Sequence, residues 1–200
     1  PSVRLDGYSV KCLFAPLHVT CRDWILRNIN RPDFFPRGSR NKTELAVRTA
    51  AFLRVATQEL GREIAISIVI DPRTSRYSLD PRTLTIGPAE PDAEGRMSVD
   101  LLVGAYGAGK VHVPGTWAGT IHSHPDNLFG VHGGDQDLAR RHTSTVWAKE
   151  GDFDAYVVTR AGAVCRYTRS SGSTIQVGGP AGSRPTGDPS RPGEPIGCGP

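Results

Sequence analysis

The residues best suited to chemistry lie in the stretch TIHSHPDNLFGVHGGDQD, residues 120–137. His122 and His124 stand at i and i+2 at the end of an apolar, β-branched run, so on a strand both imidazoles leave the same face. Asp135 follows at the expected start of a helix, and a turn through residues 125–134 can return its carboxylate to the histidines. Two neutral imidazoles and one carboxylate make a three-ligand set for Zn²⁺ that leaves a fourth position for water. Zinc in such a place lowers the pKa of its water and polarises a substrate carbonyl. Five of the six histidines (His112, His122, His124, His132 and His142) crowd into this part of the chain. His112, in a short apolar strand, and His142, on a helix, read as packing or surface residues, and His18 has no companion at ligand spacing.

Helices and strands must carry these groups. Residues 43–61 predict a helix, with Thr43 as N-cap, an apolar face at Leu45, Thr49, Phe52, Leu53, Ala56 and Leu60, and Gly61 as the stop. Glu63 opens the β-branched run IAISIVI, which ends at the turn DPRTSR and pairs with residues 77–80 as a hairpin. Shorter strands are expected at 83–86, 98–103, 111–113 and 116–121, and a second helix over 134–149. Residues 155–168 form a second hairpin around the turn RAG. Helix, strands, helix, strands imply a mixed α/β domain, with helices packed on a sheet and Trp117 and Trp147 in the core.

Composition narrows the classes. The 200 residues are 38% hydrophobic and 22% charged, which suits a globular chain and excludes a wholly disordered one. No apolar stretch is long enough to span a bilayer. The net charge of +4 divides unevenly: residues 1–42 carry +5, residues 43–169 carry −1, and residues 170–200 are neutral. The chemistry-bearing segment has no general basicity, so no nucleic-acid partner is expected. The chain divides into a basic N-terminal arm (1–42), which packs on the domain or binds a partner, a central domain (43–169) and a flexible tail (170–200). The tail holds eight Gly, six Pro and five Ser, too little apolar surface to offset ordering. Cys12, Cys21, Cys165 and Cys198 form no CxxC pair. Cys12 and Cys21 could bridge, but reduced thiols are the default expectation. The opening PSVRLDGY has neither the basic nor the apolar region of a secretory signal. The run GAYGAGK at 104–110 matches a phosphate-binding loop only superficially. Val111 replaces the Mg²⁺-binding hydroxyl residue, and Pro114 precludes a helix there, so a glycine-rich turn near the site is expected.

His122-Ser-His124-Pro125 followed by Asp135 resembles the H-x-H-P…D core of the JAB/MPN metalloprotease family, the JAMM motif, over approximately residues 43–169. The resemblance implies a mixed, largely antiparallel β-sheet flanked by helices in a cytidine-deaminase-like three-layer architecture. It also implies zinc on His122, His124 and Asp135, with an upstream glutamate as general base. Glu63 occupies that position, after the first helix and before IAISIVI, whereas Glu59 lies inside the helix. Asp137 is near, but Asp135 has the family spacing. Such a base accepts a proton from water and returns it to the leaving amine. The family usually has a serine eight residues after the second histidine to stabilise the oxyanion. His132 stands there in this chain, and its imidazole could donate a similar hydrogen bond.

The activity implied is hydrolysis of a peptide or isopeptide bond, with a peptide or ubiquitin-like protein as substrate. The series is also similar to JAB-like domains at the C-termini of bacterial polymorphic toxins. That placement implies delivery within a larger secreted effector, with an immunity protein over the zinc cleft; a cytoplasmic enzyme is the other expectation. The departure at His132 keeps a second reading open, a non-catalytic JAB-like binding module. A PHP-type phosphoesterase needs more metal ligands, and a zinc nucleobase deaminase needs H-x-E with P-C-x-x-C, which does not occur.

Overall fold

In a computed structural model of the chain, the described residues are 20–31, 33–88, 117–125, 153–160, 162–168, 172–179 and 198, with the backbone of 4–5 and 8–9. The longest helix, α2 (Lys42–Leu60), begins one residue before the expected Thr43. Asn41 is its N-cap, extended at φ −112°, with a side-chain oxygen that accepts the Glu44 N–H at 3.0 Å. Thr43 is therefore not the cap, and its hydroxyl meets Tyr156 Oη at 3.0 Å instead. Gly61, at φ 65°, closes the helix and donates its N–H to Thr57 O. The buried stripe of α2 includes Leu45, Thr49, Leu53, Ala56 and Leu60, as its spacing predicts, and also Thr57.

The shorter α1 (Cys21–Asn28) is capped by Thr20. Ile25, Ile29, Phe34 and Phe35 are buried in the same core as the α2 stripe. These four side chains of the basic arm are thus packed on the domain.

Among the described residues eight strands accompany the helices: β1 (Arg4–Leu5) and β2 (Tyr8–Ser9), which pair with each other, then β3 (Ile64–Asp71), β4 (Arg76–Ile86), β5 (Trp117–Ser123), β6 (Asp154–Val158), β7 (Val164–Thr168) and β8 (Ser173–Gly178). The last six form one sheet in the order β4-β3-β5-β6-β7-β8. Of these pairs only β5–β6 is parallel. The described chain is therefore mixed α/β, with two helices and a mostly antiparallel sheet, and no helix in it is long and apolar enough to cross a membrane.

The strands expected separately at 77–80 and 83–86 belong to one strand, β4, with an irregularity opposite Ala65–Ser67. Pro81 has no N–H for the ladder there, and Thr83 Oγ1 takes the Ser67 N–H at 2.9 Å in its place.

The sheet has two apolar faces. Ile121, Tyr156, Val158 and Val164 join the core beneath α1 and α2, while Trp117, Phe153, Ala155, Val157, Cys165 and Tyr167 cluster separately with Cys198. Along β6 and β7 these residues alternate between the clusters, as the period of two requires. Trp117 is fully buried, edge-on to Phe153 at 4.9 Å.

Two expectations are corrected on and beside this second face. Cys165 and Cys198 form a disulfide with Cα atoms 5.2 Å apart, Cys21 is also disulfide-bonded, and no described cysteine is free, so the thiols are not reduced. The described part of the expected tail is also not featureless. Ser173–Gly178 add β8 to the sheet edge through ladder bonds to β7, and Cys198 is buried. A strand that gains its place from backbone pairing needs little apolar content.

A polar tether ties α2 to the start of β6. Lys42 Nζ lies 2.6 Å from Asp154 Oδ2, with both side chains largely buried, and donates to Ala118 O at 3.2 Å. Thr168 and Tyr156 also donate to the Asp154 carboxylate. Burial, and then the Asp154 charge, push the Tyr156 phenol well above its ordinary pKa, so it stays protonated as a donor. Gly119 permits the close approach of β5 to β6, because a Cβ there would lie 2.4 Å from Asp154 O.

The strands expected at 98–103 and 111–113, the turn at 104–110, the second helix over 134–149 that would form a third layer, and the positions of His18, His112, His142 and Trp147 lie outside the described residues.

Candidate metal centre

β5 is the central positioning element. It lies between β3 and β6 and is buried along its whole length. Ile121 belongs to the core on the α2 side, and Ser123 Oγ shares a hydrogen bond with Thr57 Oγ1 on α2. Alternation then sends His122 to the opposite face, in register with Ala65 of β3 and Val157 of β6. His124 follows just past the strand and is held by its N–H to Val158 O at 2.9 Å. Both histidines thus leave the carboxyl end of the parallel pair, where open sheets place their ligand crevices.

Glu63 reaches the same point from β3. Ile64 pairs with Ser123, so the residue before Ile64 sits beside the one after Ser123. The Glu63 carbonyl accepts the Gly87 N–H at 2.7 Å, which fixes this turn of the chain.

The three side chains converge. His122 Nε2 and His124 Nε2 are 3.2 Å apart, and Glu63 Oε1 is 3.6 Å from the first and 3.9 Å from the second. All three residues are buried, at 6%, 1% and 6% exposure for Glu63, His122 and His124. A tetrahedral cation with donors at about 2.0–2.1 Å spaces neighbouring donors roughly 3.3 Å apart. The imidazole pair matches that edge, and the carboxylate oxygen lies slightly beyond it. Two borderline nitrogen donors and one carboxylate in a shielded place fit a metal ion, so Glu63, His122 and His124 form a group that could hold one.

Three residues singled out in the sequence, Glu63, His122 and His124, are therefore brought together. The expected third ligand Asp135, its neighbour Asp137 and the oxyanion candidate His132 lie outside the described residues.

Sequence reasoning missed the brace beneath the donors. Besides Thr57, Ser123 Oγ contacts Ile64 backbone N and O, each at 3.3 Å. One hydroxyl thereby joins helix α2, the residue after Glu63 and the residue between the two histidines. Thr57 carried a signal, since it falls four residues after Leu53 and three before Leu60 on the buried stripe. Compared with family models, with curated proteins and with solved structures, the chain finds no match in any of the three.

Proposed function

We infer that the chain is a zinc-dependent hydrolase of peptide or isopeptide bonds. The observation that carries this reading is the convergence of Glu63, His122 and His124 in one buried group at the end of β5. The H-x-H-P…D spacing supports it, with Asp135 as the further ligand that the JAMM resemblance implies.

His122 and His124 would hold the ion through Nε2, the atoms that face each other. Bound zinc supplies Lewis-acid polarisation of the scissile carbonyl and acidifies a coordinated water. Glu63 is the group that moves the proton. Its carboxylate lies close enough to both imidazoles to accept a proton from water attacking the carbonyl carbon, and it returns that proton to the amine as the C–N bond breaks. Burial of all three residues strengthens each of these electrostatic contacts. His132 takes the oxyanion role in this reading.

The disulfides bear on where the protein works. Bonded Cys21, Cys165 and Cys198 favour maturation in an oxidising compartment, hence a secreted or delivered module rather than a cytoplasmic enzyme. A peptide or ubiquitin-like protein is the substrate class proposed, with an immunity protein as the partner over the cleft.

Activity on a panel of peptide- and isopeptide-linked fluorogenic substrates, with and without zinc, tests the proposal. Zinc-dependent cleavage that a chelator abolishes and added zinc restores is expected. A folded, zinc-loaded protein that cleaves none of them would favour the binding-module reading.

A further inference from the structure

Beside the metal donors lies a cleft whose charge the hydrolytic step does not use. It is a small indentation open to solvent, with walls that include Arg54, Thr57, Ser123, His124, Thr159 and Arg160. It occupies the carboxyl ends of β5 and β6 against the last turns of α2, and both of its ionised side chains are cationic.

Arg54 is half-buried, and its Nε is fully buried with no hydrogen-bond partner. Its guanidinium lies against Gly162 (φ 92°), so closely that a Cβ there would sit 2.7 Å from Nη1. No ion pair reaches the Arg54 or Arg160 side chain among the described residues. A partly desolvated guanidinium with an orphaned N–H is costly, and a planar oxyanion offsets that cost through two parallel hydrogen bonds.

We propose that this cleft is a carboxylate-binding subsite, and that Arg54, assisted by Arg160, selects substrates with a carboxylate close to the scissile bond. The role as a substrate subsite rests on the hydrolase reading; the affinity for a carboxylate does not. His124 belongs both to the cleft wall and to the donor group, so the cleft and the metal donors meet at one side chain. The carboxylate has two sources, an acidic side chain or a free C-terminus.

The test uses the full chain without added metal, with NMR detection of the arginine Nε–H resonances. The probes are an acetylated and amidated Gly-Glu-Gly, its Gly-Gln-Gly counterpart, acetyl-Gly-Gly with a free carboxylate, and inorganic phosphate. At least one carboxylate probe is expected to shift the Arg54 resonance and to bind about tenfold or more tightly than Gly-Gln-Gly. The stronger of the two identifies the source. Arg54→Gln should remove this preference, and Arg160→Gln, at an exposed position that does not threaten folding, should weaken it several-fold. Equal binding of charged and uncharged peptides, binding of phosphate alone, or an unchanged preference in Arg160→Gln would overturn the subsite. A protein that binds the carboxylate probe but no zinc leaves the subsite standing and removes the hydrolase reading. Zinc binding without carboxylate binding does the reverse.

Discussion

Ser123 stands between His122 and His124 in sequence yet points to the opposite face, where its Oγ shares a hydrogen bond with Thr57 Oγ1 on α2. Ser123 and Thr57 are 1% and 3% exposed, so water does not compete for this bond. Alternation along β5 makes the arrangement possible. The face that carries the donors is positioned by the hydroxyl on the other.

Ser123→Ala should therefore loosen the donors without touching them. Removal of one partner leaves Thr57 Oγ1 buried and short of a bond, at a cost of about 1–3 kcal/mol in denaturant unfolding. Zinc affinity, measured by competition with a chromophoric chelator, should fall roughly 10–100-fold. Thr57→Val should reproduce both effects in part. Unchanged zinc affinity in a destabilised Ser123→Ala protein would confine the brace to a structural role.

Glu63→Gln separates proton transfer from ligation. The carboxylate oxygen lies 3.6 and 3.9 Å from the imidazole nitrogens, farther than the histidines are from each other. The amide should keep the zinc and the fold but lower kcat by about 10²–10⁴. Loss of zinc from this variant would make Glu63 a ligand and require another base.

The tether at the far end of the sheet is a stability element. Asp154→Ala leaves Lys42 charged in a largely buried place, beside a Tyr156 hydroxyl deprived of an acceptor. A loss of about 3–5 kcal/mol in urea unfolding is expected. A loss below about 1 kcal/mol would mean that water already screens the pair.

Tyr156 links stability to alkaline pH. Its pKa is raised in the fold by burial and then by Asp154, above the unfolded value of about 10. The unfolded chain therefore releases this proton first as pH rises. The stabilising contribution is complete below about pH 10 and is lost above it, towards the folded pKa. Urea midpoints measured from pH 8 to 11 should fall less steeply in Tyr156→Phe than in the parent chain. Parallel slopes would show that the phenol is not perturbed.

Local regularities were legible in the sequence, and long-range partners were not. The α2 stripe, the β6–β7 hairpin and the shared face of His122 and His124 all follow from periods of 3.6 and 2 within short windows. Glu63 was placed through the JAMM resemblance, because nothing local tells a carboxylate at the start of a strand that histidines 59 and 61 residues later will meet it. Ser123–Thr57, Lys42–Asp154 and Cys165–Cys198 are likewise set by the packing of distant elements. The start of α2 was missed for a local reason. Asn41 and Thr43 are both good caps, and the choice depends on where the chain turns out of its extended entry. β8 was missed because its six residues are mostly polar or small, and their place comes from pairing with β7 rather than from burial.

The most direct measurement is zinc content after dialysis, by mass spectrometry of the metal, for the parent chain and for His122→Ala/His124→Ala with its fold checked by circular dichroism. One zinc per parent chain, and none in the folded double variant, is the expected result. A parent chain that retains no metal, or a double variant that retains as much as the parent, would contradict a metal centre built on these two histidines.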